Sequence, residues 1–152
     1  MTKQNFYDFV IMMKENSNIL FNSSRNHTSI YLAGYVLEGY IKILLINEGA
    51  TTYQGGSNNS YGGHVNSSNF INRLNSVNPT VFSNSILNPA NANYPQFLIN
   101  GDGVANSKDE WNINYRYEVS RWTDRSFAQN IQNEIDNINT ALAQLRIDGV
   151  LL

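Results

Sequence analysis

The chain has 152 residues, a net charge of −2 and no cysteine. This length fits one domain that is large enough to bury a hydrophobic core. The absence of cysteine excludes disulfides and metal sites built from thiolates. A slightly acidic chain is also poorly suited to broad, charge-driven binding of nucleic acid, so only a local basic patch is left for that purpose.

The N-terminal segment predicts a first amphipathic helix over residues 3–21. Its apolar side chains recur mostly at helical spacing, and polar side chains fill the positions between them. The apolar members are Phe6, Phe9, Val10, Met13 and Leu20. Asp8 breaks the apolar run and no small-residue cleavage site follows, so the segment does not resemble a signal peptide. We therefore expect a cytoplasmic protein.

The second predicted element is a long central helix over residues 24–48. The turn Asn22-Ser23-Ser24 supplies N-cap candidates, and Gly49 is suited to end the helix. One apolar face carries Ile30, Ala33, Leu37, Ile41 and Leu44, and a second carries Leu32, Val36, Gly39, Tyr40 and Ile43. A helix that is apolar on nearly all sides is a buried helix. We expect its second face to pack on another copy of the chain, which predicts a homodimer.

A polar stripe lies between the two apolar faces of the central helix. It consists of His27, Tyr31, Tyr35, Glu38 and Lys42. The two charged residues would be costly in lipid, so no membrane span is expected. Glu38 precedes Lys42 by one turn, which favours an ion pair. This pair either fixes the packing of the core or lines a small polar pocket.

Residues 50–63 are rich in glycine, serine and asparagine and lack apolar periodicity, which indicates a flexible loop. Short helices are predicted within 64–77, from Pro79 through Leu87, and around Tyr94 to Ile99. The segment 109–121 is dense in aromatic and charged residues and favours no single element.

Asp124 is the predicted N-cap of a last long helix over residues 124–147, which Gly149 ends. Together the elements predict one all-α domain over residues 1–152. Its architecture is an antiparallel helical bundle of about four to six helices with a long buried central helix.

Two further groups of residues are candidates for function. His64 follows the glycine-rich loop and is either a helix-entry residue or a titratable group that acts on a ligand. A lone histidine cannot hold a metal ion, and we expect no metal and no cofactor. Trp111, Arg116 and Tyr117 belong to a run that alternates aromatic and basic side chains. Such a run either stacks bases and contacts phosphates or forms a packed corner with arginines over aromatic rings. The acidic residues within this run favour the packed corner. Arg116 is the one arginine of the run that we still expect to reach a ligand.

The order of three features resembles the HEPN family of small helical bundles. They are the helix SIYLAGYVLEGYIKILLINEG with Glu38 and Lys42 one turn apart, His64 after the glycine-rich loop, and WNINYRYE before the last helix. The resemblance makes the polar stripe the best candidate for the wall of a pocket. The candidate pocket residues are Tyr31, Tyr35, Glu38, Lys42, His64, Trp111, Arg116 and Tyr117.

Ribonucleases of the HEPN family use an arginine followed, after four to six residues, by a histidine. Counted from Arg116, the positions for that histidine hold Arg121, Trp122 and Thr123, so the motif is absent. The resemblance then implies a non-nucleolytic module that binds a nucleotide, RNA or a partner protein, such as a nucleotidyltransferase-like protein, in a toxin–antitoxin, defence or stress system. One alternative is a ribonuclease with a displaced site of Arg116, His64 and Glu38. Another is a structural dimerisation protein with no ligand.

Overall fold

A computed structural model describes residues 2–50, 67–101 and 111–151. Six α-helices and one 3₁₀ helix are the regular structure of these ranges, and no strand occurs in them. The helices are α1 Lys3–Asn22, α2 Asn26–Asn47, α3 Ser67–Val77, α4 Pro79–Asn84, α5 Gln96–Asn100 and α6 Arg125–Ile147, and the 3₁₀ helix is Ile113–Tyr117. The predicted all-α bundle is confirmed. The predicted loop after Ala50 and the candidate residue His64 lie outside the described residues.

The central helix α2 is enclosed by the rest of the chain. It packs along α1 over most of its length, and α3 and α6 contact its other sides. Val36, Tyr40 and Ile43, which belong to its second apolar face, are buried within this one chain. The assignment of that face to a second copy was therefore wrong, because elements of the same chain cover it. A homodimer remains a prediction, and it would have to form through another surface.

The helix α2 is long and apolar enough to cross a membrane by length and composition alone. Most of its surface is buried inside the structure, as in the core helix of a soluble protein. A cytoplasmic location remains a prediction.

Two glycines of α2 allow close approach of other elements. A Cβ atom added to Gly34 would overlap the indole of Trp111, and one added to Gly39 would overlap the side chain of Val10. Since the indole is buried, it has little room to move away. Both positions therefore require glycine because of the available space.

A buried polar cluster joins three helices. The hydroxyl of Ser17 on α1 donates to the carbonyl oxygen of Ser29 on α2 at 2.8 Å, and the Ser29 hydroxyl donates back to the carbonyl oxygen of Ser17 at 2.8 Å. From α6, the Gln132 amide donates to both hydroxyls, at 2.9 and 3.0 Å. These polar groups are thus satisfied in the core, and the small serine side chains let α1 and α2 lie close together.

The helix ends test the predicted caps. The Asp124 carboxylate accepts from the N–H of Phe127 at 2.7 Å, so it is the N-cap of α6 as predicted. Gly49 and Gly149 follow α2 and α6 with positive φ angles of 90° and 79°, which confirms them as helix ends.

Two of the predicted helix ends are wrong. The turn Asn22-Ser23-Ser24 does not cap α2, because α1 runs through Asn22 and the next two N–H groups bond back to its last carbonyls. The N-cap of α2 is Arg25, which makes no side-chain capping bond. The helix from Pro79 ends at Asn84 rather than Leu87, since the Ser85 hydroxyl donates to the Phe82 carbonyl oxygen and closes the helix there.

Glu134 of α6 caps the short helix α5 from outside. Its carboxylate accepts from the N–H groups of Phe97 and Leu98 at 2.8 and 2.9 Å. Burial raises the pKa of Glu134 from 4.5 to about 7, although the two hydrogen bonds favour the charged form. The folded protein therefore holds the proton of Glu134 more tightly than the unfolded chain does. This contribution to the free energy of unfolding is complete below pH 4.5 and is lost as the pH rises through 7.

We predict that the free energy of unfolding falls by roughly 1–3 kcal/mol between about pH 5 and about pH 8 because Glu134 must become charged in a buried site. Urea denaturation at the two pH values measures it. Glu134→Gln cannot titrate at this position, so its stability should change less over the same interval. An equal loss in both proteins would assign the pH dependence to other groups.

Candidate functional site

Tyr31 connects the middle of α2 to the 3₁₀ helix. Its hydroxyl accepts from the Nε–H of Arg116 at 3.1 Å and lies 2.7 Å from the hydroxyl of Tyr35. Its backbone carbonyl oxygen accepts from the indole N–H of Trp111 at 2.9 Å. Burial and the hydrogen bond to Tyr31 raise the pKa of Tyr35 above its ordinary value, so the Tyr35 hydroxyl stays protonated. Four of the predicted site residues thus form one network.

The local sequence explains this geometry. Tyr31 and Tyr35 are one helical turn apart, so their rings meet edge to face at 5.4 Å. Gly34 leaves the space that the indole of Trp111 occupies, and the indole centroid lies 5.2 Å from the Tyr35 ring and 5.9 Å from the Tyr31 ring. The aromatic cluster fixes the start of the 3₁₀ helix on α2.

Arg116 and Tyr117 present the cluster to solvent. The side chain of Tyr117 is 81% exposed, and the guanidinium carbon of Arg116 lies 5.8 Å from its ring centroid and 5.6 Å from that of Tyr31. Hydrogen bonds to Tyr117 and Tyr31 raise the pKa of Arg116 above its ordinary value. The site therefore combines an exposed aromatic ring with a fixed positive charge.

A cleft of about 340 Å³ lies beside this network. The α1–α2 turn and the segment after the 3₁₀ helix line it with Ser24, Arg25, Asn26, His27, Thr28, Val119 and Thr123. His27 links the cleft to the network, since its Nε2 lies 3.3 Å from the carbonyl oxygen of Arg116 and its ring stacks 5.4 Å from that of Trp122. Because the carbonyl can only accept, this nitrogen carries the proton. The sequence did not identify the cleft, because its two walls come from distant parts of the chain.

Glu38 and Lys42 form the ion pair that their spacing predicts, with the Lys42 ammonium 2.6 Å from the Glu38 carboxylate. Their side chains are only 7% and 4% exposed, and the ammonium lies 5.6 Å from the ring of Phe6 and 5.3 Å from that of Phe70. The pair is thus part of the core. Within the described residues, it does not line the open cleft beside Arg116.

The other arginines of the aromatic–basic run form a packed corner, as predicted. Arg121 lies 3.7 Å from the centroid of the Tyr115 ring and pairs with Glu118 at 2.6 Å. Arg125 lies 3.4 Å from the centroid of the Phe21 ring and donates to the carbonyl oxygen of that residue. Arg125 therefore joins the start of α6 to α1, and Arg121 packs against its own segment of the chain.

Among the described residues, no three His, Asp or Glu side chains come together to hold a metal ion. Comparison of the chain with protein-family models, curated proteins and solved structures gave no match.

Proposed function

We propose that the chain binds a nucleotide or single-stranded RNA at the surface formed by Arg25, His27, Arg116, Tyr117 and Val119, named here the Arg116 surface. The observation that carries the proposal is the exposed Tyr117 ring with the Arg116 guanidinium beside it. An exposed aromatic ring can stack on a base, and a neighbouring arginine can contact a phosphate.

The cleft that His27 lines, beside the backbone of Arg116, supports the same proposal. Its volume of about 340 Å³ lies in the range of small-ligand sites. Arg25 lines it and can supply further hydrogen-bond donors to an anion. Since the whole chain is slightly acidic, binding would depend on this local group of cations.

On the resemblance to the HEPN family, we propose that this binding serves a toxin–antitoxin, defence or stress system, with a second copy of the chain and a nucleotidyltransferase-like protein as proposed partners. Without the arginine–histidine motif, we propose a module that binds and does not cleave. The alternative ribonuclease would need His64 together with Arg116 and Glu38. The enclosure of Glu38 with Lys42 favours the binding module.

We predict that Arg116→Ala and Tyr117→Ala each weaken binding of a short fluorescein-labelled oligoadenylate by about tenfold, because each removes a charge or a stacking surface. Fluorescence anisotropy measures the affinity, with unlabelled ATP as competitor. Arg146→Ala is the matched control, since Arg146 also lies over a tyrosine ring, that of Tyr7, but belongs to the last turn of α6.

Equal weakening by all three variants would indicate non-specific attraction and contradict the proposed surface. No binding of either probe would favour the structural dimerisation protein. Cleavage of the oligonucleotide in EDTA that His64→Ala abolishes would establish the ribonuclease instead.

A further inference from the structure

The short helix α5 depends on Glu134 for its first hydrogen bonds. It has only five residues, and its N-cap Pro95 makes no side-chain capping bond. The Glu134 carboxylate of α6 accepts the N–H groups of Phe97 and Leu98 instead, one on each oxygen, at 2.8 and 2.9 Å. A helix of this length is not stable alone, so contacts with other elements hold α5 in place.

Glu134 is a buried carboxylate without a cation beside it. The residue is 7% exposed, and within the described parts of the chain it pairs with no lysine or arginine. The neighbouring helix α5 carries no charged side chain. On the long helices around it, Lys14 of α1 pairs with Asp136, and Lys42 of α2 pairs with Glu38. Burial and the two backbone bonds therefore decide whether Glu134 keeps its proton.

Leu98 connects α5 to the Arg116 surface. Its N–H donates to Glu134, and its carbonyl oxygen accepts from the backbone N–H of Trp111 at 3.0 Å. Trp111 donates its indole N–H to the carbonyl oxygen of Tyr31 and directly precedes the segment of the 3₁₀ helix. Consecutive hydrogen bonds through Leu98 and Trp111 thus join the buried carboxylate to the start of this segment.

Loss of the Glu134 proton favours a structure in which water reaches the carboxylate. Burial raises the pKa of Glu134 from 4.5 to about 7, so the closed arrangement holds the proton more tightly than a hydrated one does. Opening of α5 is therefore hardest below pH 4.5 and becomes easier as the pH rises to 7. Because α5 is short and supplies both N–H partners, its detachment is the smallest movement that hydrates the carboxylate.

We propose that Glu134 and α5 form a pH-sensitive switch, in which loss of the Glu134 proton releases α5 and, through Leu98 and Trp111, loosens the Arg116 surface. The release of α5 is independent of the proposed function, whereas its effect on a ligand rests on that function. Since binding needs the ordered surface, the ligand binds more tightly at acidic pH. By linkage, a bound ligand raises the pH at which Glu134 loses its proton.

Amide hydrogen exchange of the full chain, followed by NMR at about pH 5 and about pH 8, tests the release without a ligand. The protection factors of the Phe97, Leu98 and Trp111 amides, corrected for the intrinsic pH dependence of exchange, should fall by roughly 50-fold between these values. In Glu134→Gln they should be nearly equal at both. Asp136→Asn is the matched control, because this exposed carboxylate of α6 should leave the pH dependence unchanged.

Fluorescence anisotropy with the labelled oligoadenylate tests the regulation. The affinity of the unmodified chain should be at least about threefold higher at the lower pH, and Glu134→Gln should reduce this ratio while Asp136→Asn keeps it. Equal pH dependence of exchange in the unmodified chain and Glu134→Gln would overturn the switch. An unchanged affinity ratio in Glu134→Gln would overturn its connection to the Arg116 surface. No binding at either pH would overturn the proposed function and the regulation with it, while exchange would still decide whether α5 opens.

Discussion

Replacing Gly34 by alanine is expected to lower the free energy of unfolding by roughly 2–4 kcal/mol. The added methyl group occupies the position of the Trp111 indole, so the ring must leave its buried site and the hydrogen bond to the carbonyl oxygen of Tyr31. Loss of a buried tryptophan costs about 3–5 kcal/mol, and the higher helix propensity of alanine offsets about 1 kcal/mol of it. Urea denaturation followed by circular dichroism measures the difference.

A double-mutant cycle separates this overlap from a general effect on α2. In a Trp111→Ala background the space is open, so Gly34→Ala should become neutral or stabilising through helix propensity alone. Gly39 and Val10 offer the matched pair, since Gly39→Ala overlaps the valine side chain and Val10→Ala removes that contact. The same cost of Gly34→Ala in both backgrounds would show that the indole is not responsible.

The Gly34 substitution also connects packing to the proposed function. Trp111 immediately precedes the 3₁₀ helix segment that carries Arg116 and Tyr117, and its indole fixes that segment on α2. A displaced indole should therefore weaken oligoadenylate binding even where the protein remains folded. Val10 lies on α1, so Gly39→Ala should affect stability and leave the affinity of the folded protein unchanged.

The sequence predicted the long helices closely because their signals are local. Apolar spacing located α1, and Asp124 and Gly149 marked the ends of α6. The composition of α2 also showed that the helix is buried. A local pattern does not say which surface covers a second apolar face, and for this reason that face was assigned to another copy.

The candidate site was only partly predictable because its contacts join distant positions. Tyr31 and Arg116 are 85 positions apart, and His27 contacts the backbone of Arg116 across 89 positions. Each residue was recognisable as a polar or aromatic candidate, yet periodicity carries no information on how they pair. The buried cluster of Ser17, Ser29 and Gln132 was missed for a related reason, since polar residues in a helix pattern look like surface positions.

Substitutions at Glu38 and Lys42 distinguish an ion pair that packs in the core from one that lines a water-filled pocket. Lys42→Met is expected to cost roughly 3–5 kcal/mol, because the substitution removes the ammonium that pairs with the buried Glu38 carboxylate. Glu38→Gln should destabilise the protein for the corresponding reason. If the pair lined a water-filled pocket, solvent would screen either remaining charge, and each change would cost about 1 kcal/mol or less.

The double variant Glu38→Leu/Lys42→Met supplies the decisive comparison. In an enclosed pair, replacing both charges by apolar side chains should cost far less than the sum of the single changes, because no unpaired charge is left behind. The surface pair of Lys14 and Asp136, at 3.3 Å, is the control, and Lys14→Met should cost at most about 1 kcal/mol. Additive costs for Glu38 and Lys42 would restore the pocket interpretation. Strong coupling would assign the pair to the core, where it specifies how α1 and α3 pack on the central helix.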